Sequence, residues 1–212
     1  MKKVNKILIG THNRGKFKEI SHLLPKRIKK FSPTTFDIKA PLESGKSFAA
    51  NSKLKANHFF KHSNMTSLSD DSGLSINCLD GKPGIYSARW AKKYGSFKNA
   101  MKKIIQMVEK KNRNKKIKNT RAKFICSLSI KSSQMKNTIS VVGQIYGNIS
   151  KKIIGGKGFG YDPIFIPKNY KITFGQMNKK KKTLIDHRYI AYKKLKKNLI
   201  FNKSLILCFV NY

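Results

Sequence analysis

VNKILIGTHNRGKFKEISHLL, residues 4–24, decides the fold class. Ile7, Leu8 and Ile9 with Gly10 behind them read as a buried strand over residues 4–10. Residues 16–24 follow as a helix, with Phe17, Ile20, Leu23 and Leu24 on one face at helical spacing. THNRG between them is a turn. A strand, a polar turn and a helix in that order open an α/β chain.

The rest of the chain continues the alternation. Residues 47–61 predict a second helix, with Ser47 as N-cap and Phe48, Leu54, Phe59 and Phe60 as its apolar positions. Residues 69–73 (SDDSG) read as a small polar loop behind the apolar run 65–68, and residues 74–79 as a short strand. Residues 100–108 predict a third helix, and KKNRNKKIKN at 110–119 a solvated charged loop. Residues 122–130 and 138–149 alternate well enough to be two long neighbouring strands. A glycine-rich loop at 155–160 leads to a closing helix over 179–199. Intermixed strands and helices without an internal repeat make the class α/β with a mixed sheet. No Pro/Gly/Ser-rich linker divides the 212 residues, so one domain is expected over 1–198, followed by a tail at 199–212.

Forty-seven Lys and Arg stand against nine Asp and Glu, a formal charge of +38. Clustered cations would suggest a polyanion partner, because neutralised phosphates release counterions. Here the charge is spread along the whole chain, and 41 of the 47 cations are Lys. That favours compositional drift over a dedicated nucleic-acid site, since Arg is the better bidentate phosphate reader. Cys78, Cys126 and Cys208 are odd in number and lack CxxC spacing, so neither a disulfide framework nor a zinc site is indicated. Residues 1–24 lack the apolar centre of a signal peptide, and the apolar stretch 205–210 is too short to span a bilayer. A soluble cytoplasmic protein without a membrane partner is expected.

In a chain so poor in acids, the doublet Asp70-Asp71 is where a divalent metal would bind. Mg²⁺ is held by one or two carboxylates plus substrate phosphates, and a carboxylate touching both metal and water can act as general base. The alternative is a loop whose aspartates cap neighbouring N–H groups. Glu43, just before the second helix, is either a second metal carboxylate or a loop acid in water. In THNRGK, the N–H groups of a turn entering a helix form a phosphate cradle that Lys16 can reach. An ordinary turn with a surface lysine, Asn13 capping the helix, reads equally well. GKGFGYDP (156–163) combines glycines that let a ligand approach the backbone with Phe159 and Tyr161, which either stack on a base or lie in the core. Lys182, His187 and Arg188 in KTLIDHR either converge on one anion or form a solvated basic helix end.

Taken in order, these blocks resemble one family. Thr11, Asn13, Lys16 and Glu19, then ESGKSFAANSKLKA (43–56), SDDSGL (69–74), GKPGIYSARWA (81–91), GKGFGYDPIF (156–165) and KTLIDHR (182–188) look like the Ham1 family of inosine and xanthosine triphosphate pyrophosphatases. The resemblance runs from about residue 6 to about residue 197. It implies an elongated mixed β-sheet flanked by helices with a central substrate cleft, a homodimer and Mg²⁺. The implied reaction is hydrolysis of ITP, dITP and XTP to monophosphate and pyrophosphate. Carried over by position, Thr11, His12, Asn13, Arg14, Gly15 and Lys16 bind the triphosphate. Asp71 is general base and metal ligand, Glu43 joins the metal site, and Ser72 touches substrate. Phe159, Gly160, Tyr161, Asp162, Lys182, His187 and Arg188 surround the base and hold the nucleotide. Three positions depart from the pattern: His12 replaces a small residue, Ala50 a Glu, and Asp186 a Ser.

Overall fold

The computed structural model describes residues 4–201. Most of the tail set apart at 199–212, with Cys208 and the apolar stretch 205–210, lies outside the described residues. In chain order the elements are β1 (Lys6–Ile9), α1 (Arg14–Leu23), β2 (Lys29–Phe31), α2 (Phe48–Ser63), β3 (Ser67–Ile76), α3 (Ser87–Lys93) and α4 (Phe97–Asn112). Then follow β4 (Arg121–Lys131), β5 (Ile139–Ile149), β6 (Phe165–Pro167), α5 (Lys179–Thr183) and α6 (His187–Phe201). The six strands form one mixed sheet in the order β2-β1-β3-β4-β5-β6. β1 runs parallel to β2 and β3, with Leu8 opposite Ser67, while β5 and β6 are antiparallel.

The chain packs as two compact units, each with its own core. The first comprises residues up to Asp71, Cys126–Gly143 and residues from Arg188 onward. Its core alternates by strand parity, as a sheet covered on both faces requires. Ile7, Ile9, Leu68, Cys126, Leu128 and Ile130 cluster with Ile20 of α1 and Ala191, Leu195 and Leu199 of α6. Leu8, on the opposite face of β1, packs with Ile38 and Phe59 of α2. Gly10 is small for a reason: a Cβ there would lie 2.1 Å from Ser69 Oγ and 2.5 Å from the Phe59 ring. The second unit, Ser72–Ile125 and Gln144–His187, closes over Leu74, Ile76, Phe124, Phe165 and Phe174, with Ala100, Met101, Ile104 and Val108 as the buried stripe of α4.

Four expectations are corrected. The Asp doublet sits inside a ten-residue strand, not in a loop. Lys110, Lys111 and Asn112 complete α4 before the charged loop begins. The closing helix is broken at residues 184–186 into α5 and α6. The short β2, α3 and β6 went unread. No helix among the described residues is long and apolar enough to cross a membrane.

Two buried tyrosines couple the fold to alkali. Burial pushes the Tyr192 hydroxyl up to about 12 and also raises Tyr161. In the unfolded chain both ionise near ~10, so unfolding releases protons first. Stability is therefore intact below about pH 10 and declines as the pH rises toward about 12. Denaturant midpoints measured across that window are expected to fall, and Tyr192→Phe to remove part of the fall.

Candidate functional site

Successive side chains on a strand point to opposite faces, and this divides the two aspartates of β3. Asp71 faces α2 and is 4% exposed. Its Oδ2 accepts a hydrogen bond from Asn51 Nδ2 at 3.1 Å, and its Oδ1 lies 3.6 Å from Lys55 Nζ. Asn51 and Lys55 are one helical turn apart on α2, which starts at Phe48 because Ser47 accepts from the Ala50 N–H. Lys55 Nζ also reaches Glu43 Oε1 at 2.6 Å. Burial raises the Asp71 carboxyl above the ordinary carboxylate range, although Lys55 and Lys16 pull the other way. Burial alone would lower Lys55, yet Asp71, Asp70 and Glu43 together hold it above its ordinary value. Burial thus raises the acid, and the surrounding carboxylates favour the charged form of the lysine.

Asp70, fully buried, faces the other way. Its Oδ2 lies 3.3 Å from Lys16 Nζ and 3.5 Å from Arg188 Nη2, and Arg188 Nη1 donates to Glu19 Oε2 at 2.6 Å. The doublet is therefore not a bidentate clamp on one ion. Asp70 anchors the cations of α1 and α6, leaving Asp71 and Glu43 as the carboxylates available on the α2 side.

These two acids fit a magnesium ion. Both are hard oxygen donors, and their carboxylates already converge on one cationic centre, the Lys55 ammonium. Among the described residues no group of three or more His, Cys, Asp or Glu gathers.

The turn before α1 is closed by its own side chains. Thr11 Oγ1 accepts from the Asn13 N–H, and Asn13 Oδ1 caps the helix by accepting from the Lys16 N–H. Arg14 opens α1 and is exposed, Gly15 is half-buried, and Lys16 reaches back to Asp70. The His12 ring turns aside to the Ile38 carbonyl at 3.0 Å. Ala50 is exposed in the first turn of α2, at the third helical position after the Ser47 cap. A Glu there would complete a reciprocal capping pair.

In the second unit, Lys182 Nζ, on a residue 4% exposed, donates to Asp162 Oδ2 at 2.7 Å, and the same oxygen accepts the Phe159 N–H at 2.9 Å. The ammonium lies 5.2 Å from the Phe159 ring centre and 5.5 Å from that of Phe174. The loop closes this tightly because Gly158 has φ 78°, and a Cβ there would meet Asp162 Oδ2 at 2.0 Å. Gly160 has φ 66°. Tyr161 belongs to the core: its hydroxyl donates to the Ser87 carbonyl at 2.8 Å, and its ring meets Phe97 edge-on. The half-buried aromatic of this loop is Phe159. His187 stacks on Phe124 at 4.9 Å and 11°, Asp186 is buried beside it, and Ser72 is half-buried. Lys182 and Arg188 are paired with different carboxylates, Asp162 and Glu19.

Asn51 and Lys55 were not singled out from the sequence. The helical spacing of Asn51, Lys55 and Phe59 carried the signal, because it places a lysine on the buried face of α2, where an unpaired cation is not tolerated.

Comparison with known proteins gives a consistent result. The Ham1 family pattern matches residues 7–198. The dITP/XTP pyrophosphatase of Rhodospirillum centenum is 37% identical over 190 residues, 89% of this chain and 92% of that protein. The protein of the same description from Caulobacter vibrioides is 37% identical over 191 residues, 90% and 96% of the two chains. A HAM1 protein of Coxiella burnetii has a TM-score of 0.81 at 29% identity over 92% of this chain and 98% of its own. The Ham1 protein of Staphylococcus aureus gives 0.78 at 32% identity over 93% and 99%.

Proposed function

The chain belongs to the Ham1 family, and on that footing we propose that it hydrolyses deaminated purine nucleoside triphosphates, ITP, dITP and XTP, to the monophosphate and pyrophosphate. The observation that carries the chemistry is Asp71: a buried acid with a raised pKa, fixed by Asn51 and within reach of a lysine shared with Glu43.

Each group then has a task. The turn at residues 11–16, at the N-terminal end of α1, and the Lys16 ammonium hold the polyphosphate. Mg²⁺, held by Asp71 and Glu43, supplies charge neutralisation on the phosphates when bound. Water attacks the α-phosphorus, its proton passes to the Asp71 carboxylate, and the bond from the α-phosphorus to the bridging oxygen breaks to release pyrophosphate. A carboxyl with a raised pKa is a better proton acceptor near neutrality than an ordinary one. Asn51 keeps Oδ2 in place, and Lys55 holds positive charge beside the site throughout.

Base choice falls to Ser72, the loop Phe159, Gly160, Tyr161 and Asp162, and the residues Lys182, His187 and Arg188. Phe159 supplies a face for the base, with Tyr161 anchoring the loop from the core. Donors that face a 6-keto oxygen are left unpaired by the 6-amino group of adenine, and sites built this way reject such an analogue by up to roughly 10⁴-fold. Guanine shares the keto group, so its exclusion rests on poor accommodation of the 2-amino group.

Hydrolysis of ITP in ¹⁸O-water tests the point of attack. The label is expected in the inosine monophosphate and absent from pyrophosphate; label in pyrophosphate, or release of inorganic phosphate, contradicts it. The same reading takes residues 1–198 as the catalytic domain. It also takes the protein as a cytoplasmic homodimer with no dedicated nucleic-acid or membrane partner, on family resemblance and composition. Light scattering of the purified protein and a salt titration of DNA binding without a steep slope check the first and last of these.

A further inference from the structure

We propose that His12 is a positioning residue that, together with His58, ties down residues 38–46, the irregular strap that carries Glu43. His12 Nε2 lies 3.0 Å from the Ile38 carbonyl, and His58 Nε2 lies 3.0 Å from the Lys39 carbonyl. A carbonyl only accepts, so both imidazoles carry their proton on Nε2. Both rings lie against one side chain, and His58 also meets the His62 ring at 4.2 Å. His12 lies 6.0 Å from the Phe59 ring at 46°, and His58 meets the same ring edge-on at 5.3 Å. Phe59 is 1% exposed and packs with Leu8 and Ile38, which gives both rings a fixed surface to lie against.

The other end of the strap is held from α2. The Gly45 N–H donates to Asn51 Oδ1 at 2.8 Å, and Lys55 holds Glu43. Leu42 between these anchors is 86% exposed and adds no packing. Asn51 and Lys55 are also the partners of Asp71, so movement of the strap is felt by the acid. Of these anchors, three come from α2; His12 comes from the turn that cradles the phosphates. It joins the polyphosphate end of the site to the second carboxylate, a link that a small residue at position 12 has no atoms to make.

What Glu43 contributes to catalysis rests on the proposed function; the tether does not. The test therefore reads the tether directly, by amide hydrogen exchange at Ser44 and Gly45 in protein free of metal and nucleotide. His12→Phe keeps a ring against Phe59 and removes the donor. His12→Gln keeps a donor. Loss of one net hydrogen bond is expected to speed exchange at these amides about fivefold in His12→Phe, with β4 amides unchanged and His12→Gln closer to the native rate. In turnover, His12→Phe is expected to raise the Mg²⁺ concentration needed for half-maximal rate more than the KM for ITP. Unchanged exchange in both His12→Phe and His12→Gly overturns the proposal. A raised KM for ITP with unchanged exchange makes His12 a phosphate donor instead and likewise overturns it. If the native protein fails to hydrolyse ITP, the proposed function falls, while the exchange result still decides the tether.

Discussion

Asp71→Asn abolishes pyrophosphate release from ITP, by about 10³-fold or more, while the protein folds as before. The magnitude is that of removing a positioned general base together with a ligand of the metal. The fold is expected to survive because Asn has the same shape, its carbonyl oxygen still accepts from Asn51, and the lost ion pair with Lys55 is long at 3.6 Å. Lys55 also keeps Glu43 at 2.6 Å, so no cation is stranded. Steady-state pyrophosphate release and a thermal melt, measured side by side, check both halves. A variant that keeps most of its activity sinks the assignment of the base.

Arg188→Met produces the largest loss of stability. Arg188 is 2% exposed and satisfies Glu19 at 2.6 Å and Asp70 at 3.5 Å. Removing one partner of a buried ion pair leaves carboxylate charge uncompensated in low dielectric, at a cost of roughly 3–5 kcal/mol. For a chain of this size that lowers the melting temperature by roughly 10 °C. Lys16, 3.3 Å from Asp70, limits the damage on that side. The double variant Arg188→Met with Glu19→Gln is therefore expected to recover part of the loss, a coupling readable in a double-mutant cycle. A single variant melting within a degree or two of the native protein contradicts this account of the network.

Local periodicity made much of the fold legible. Ile7 to Ile9, the apolar face of α1, the Ser47 cap of α2 and the alternation of β4 and β5 depend on near neighbours, and the structure reproduces them to within a few residues. The Asp doublet was misread for a physical reason. Ser, Asp and Gly are depleted in strands, so SDDSG looks like a loop. It becomes a buried strand only because Lys16, Lys55 and Arg188, far apart in sequence, arrive to balance the two charges. Lys16 and Arg188 stood out in the sequence only as ligand-binding cations, and Lys55 was hidden by composition, since any one lysine among 41 looks like a solvated side chain. The break before α6 was readable: Asp186 stands just before the helix starts, where Asp is favoured. Its place beside His187 drew attention to charge instead of capping.

At the site, sequence order brought the right blocks forward but not their partners. The two acids nearest in sequence, Asp70 and Asp71, serve opposite faces of the sheet. The two that share an ammonium, Glu43 and Asp71, are separated by all of α2. Lys182 is the partner of Asp162, a pairing that the KTLIDHR block by itself does not reveal. Such pairings depend on which helix covers which strand, and residue spacing along the chain does not encode that.

Selectivity for the deaminated base is the claim on which the functional account turns, and a substrate panel tests it most directly. Pyrophosphate release should be measured for the purified protein with Mg²⁺ on ITP, dITP and XTP against ATP, GTP, dTTP and UTP. The account predicts that kcat/KM for the first three exceeds that for ATP by orders of magnitude, with GTP also disfavoured. Comparable turnover of ATP or of a pyrimidine triphosphate would contradict it.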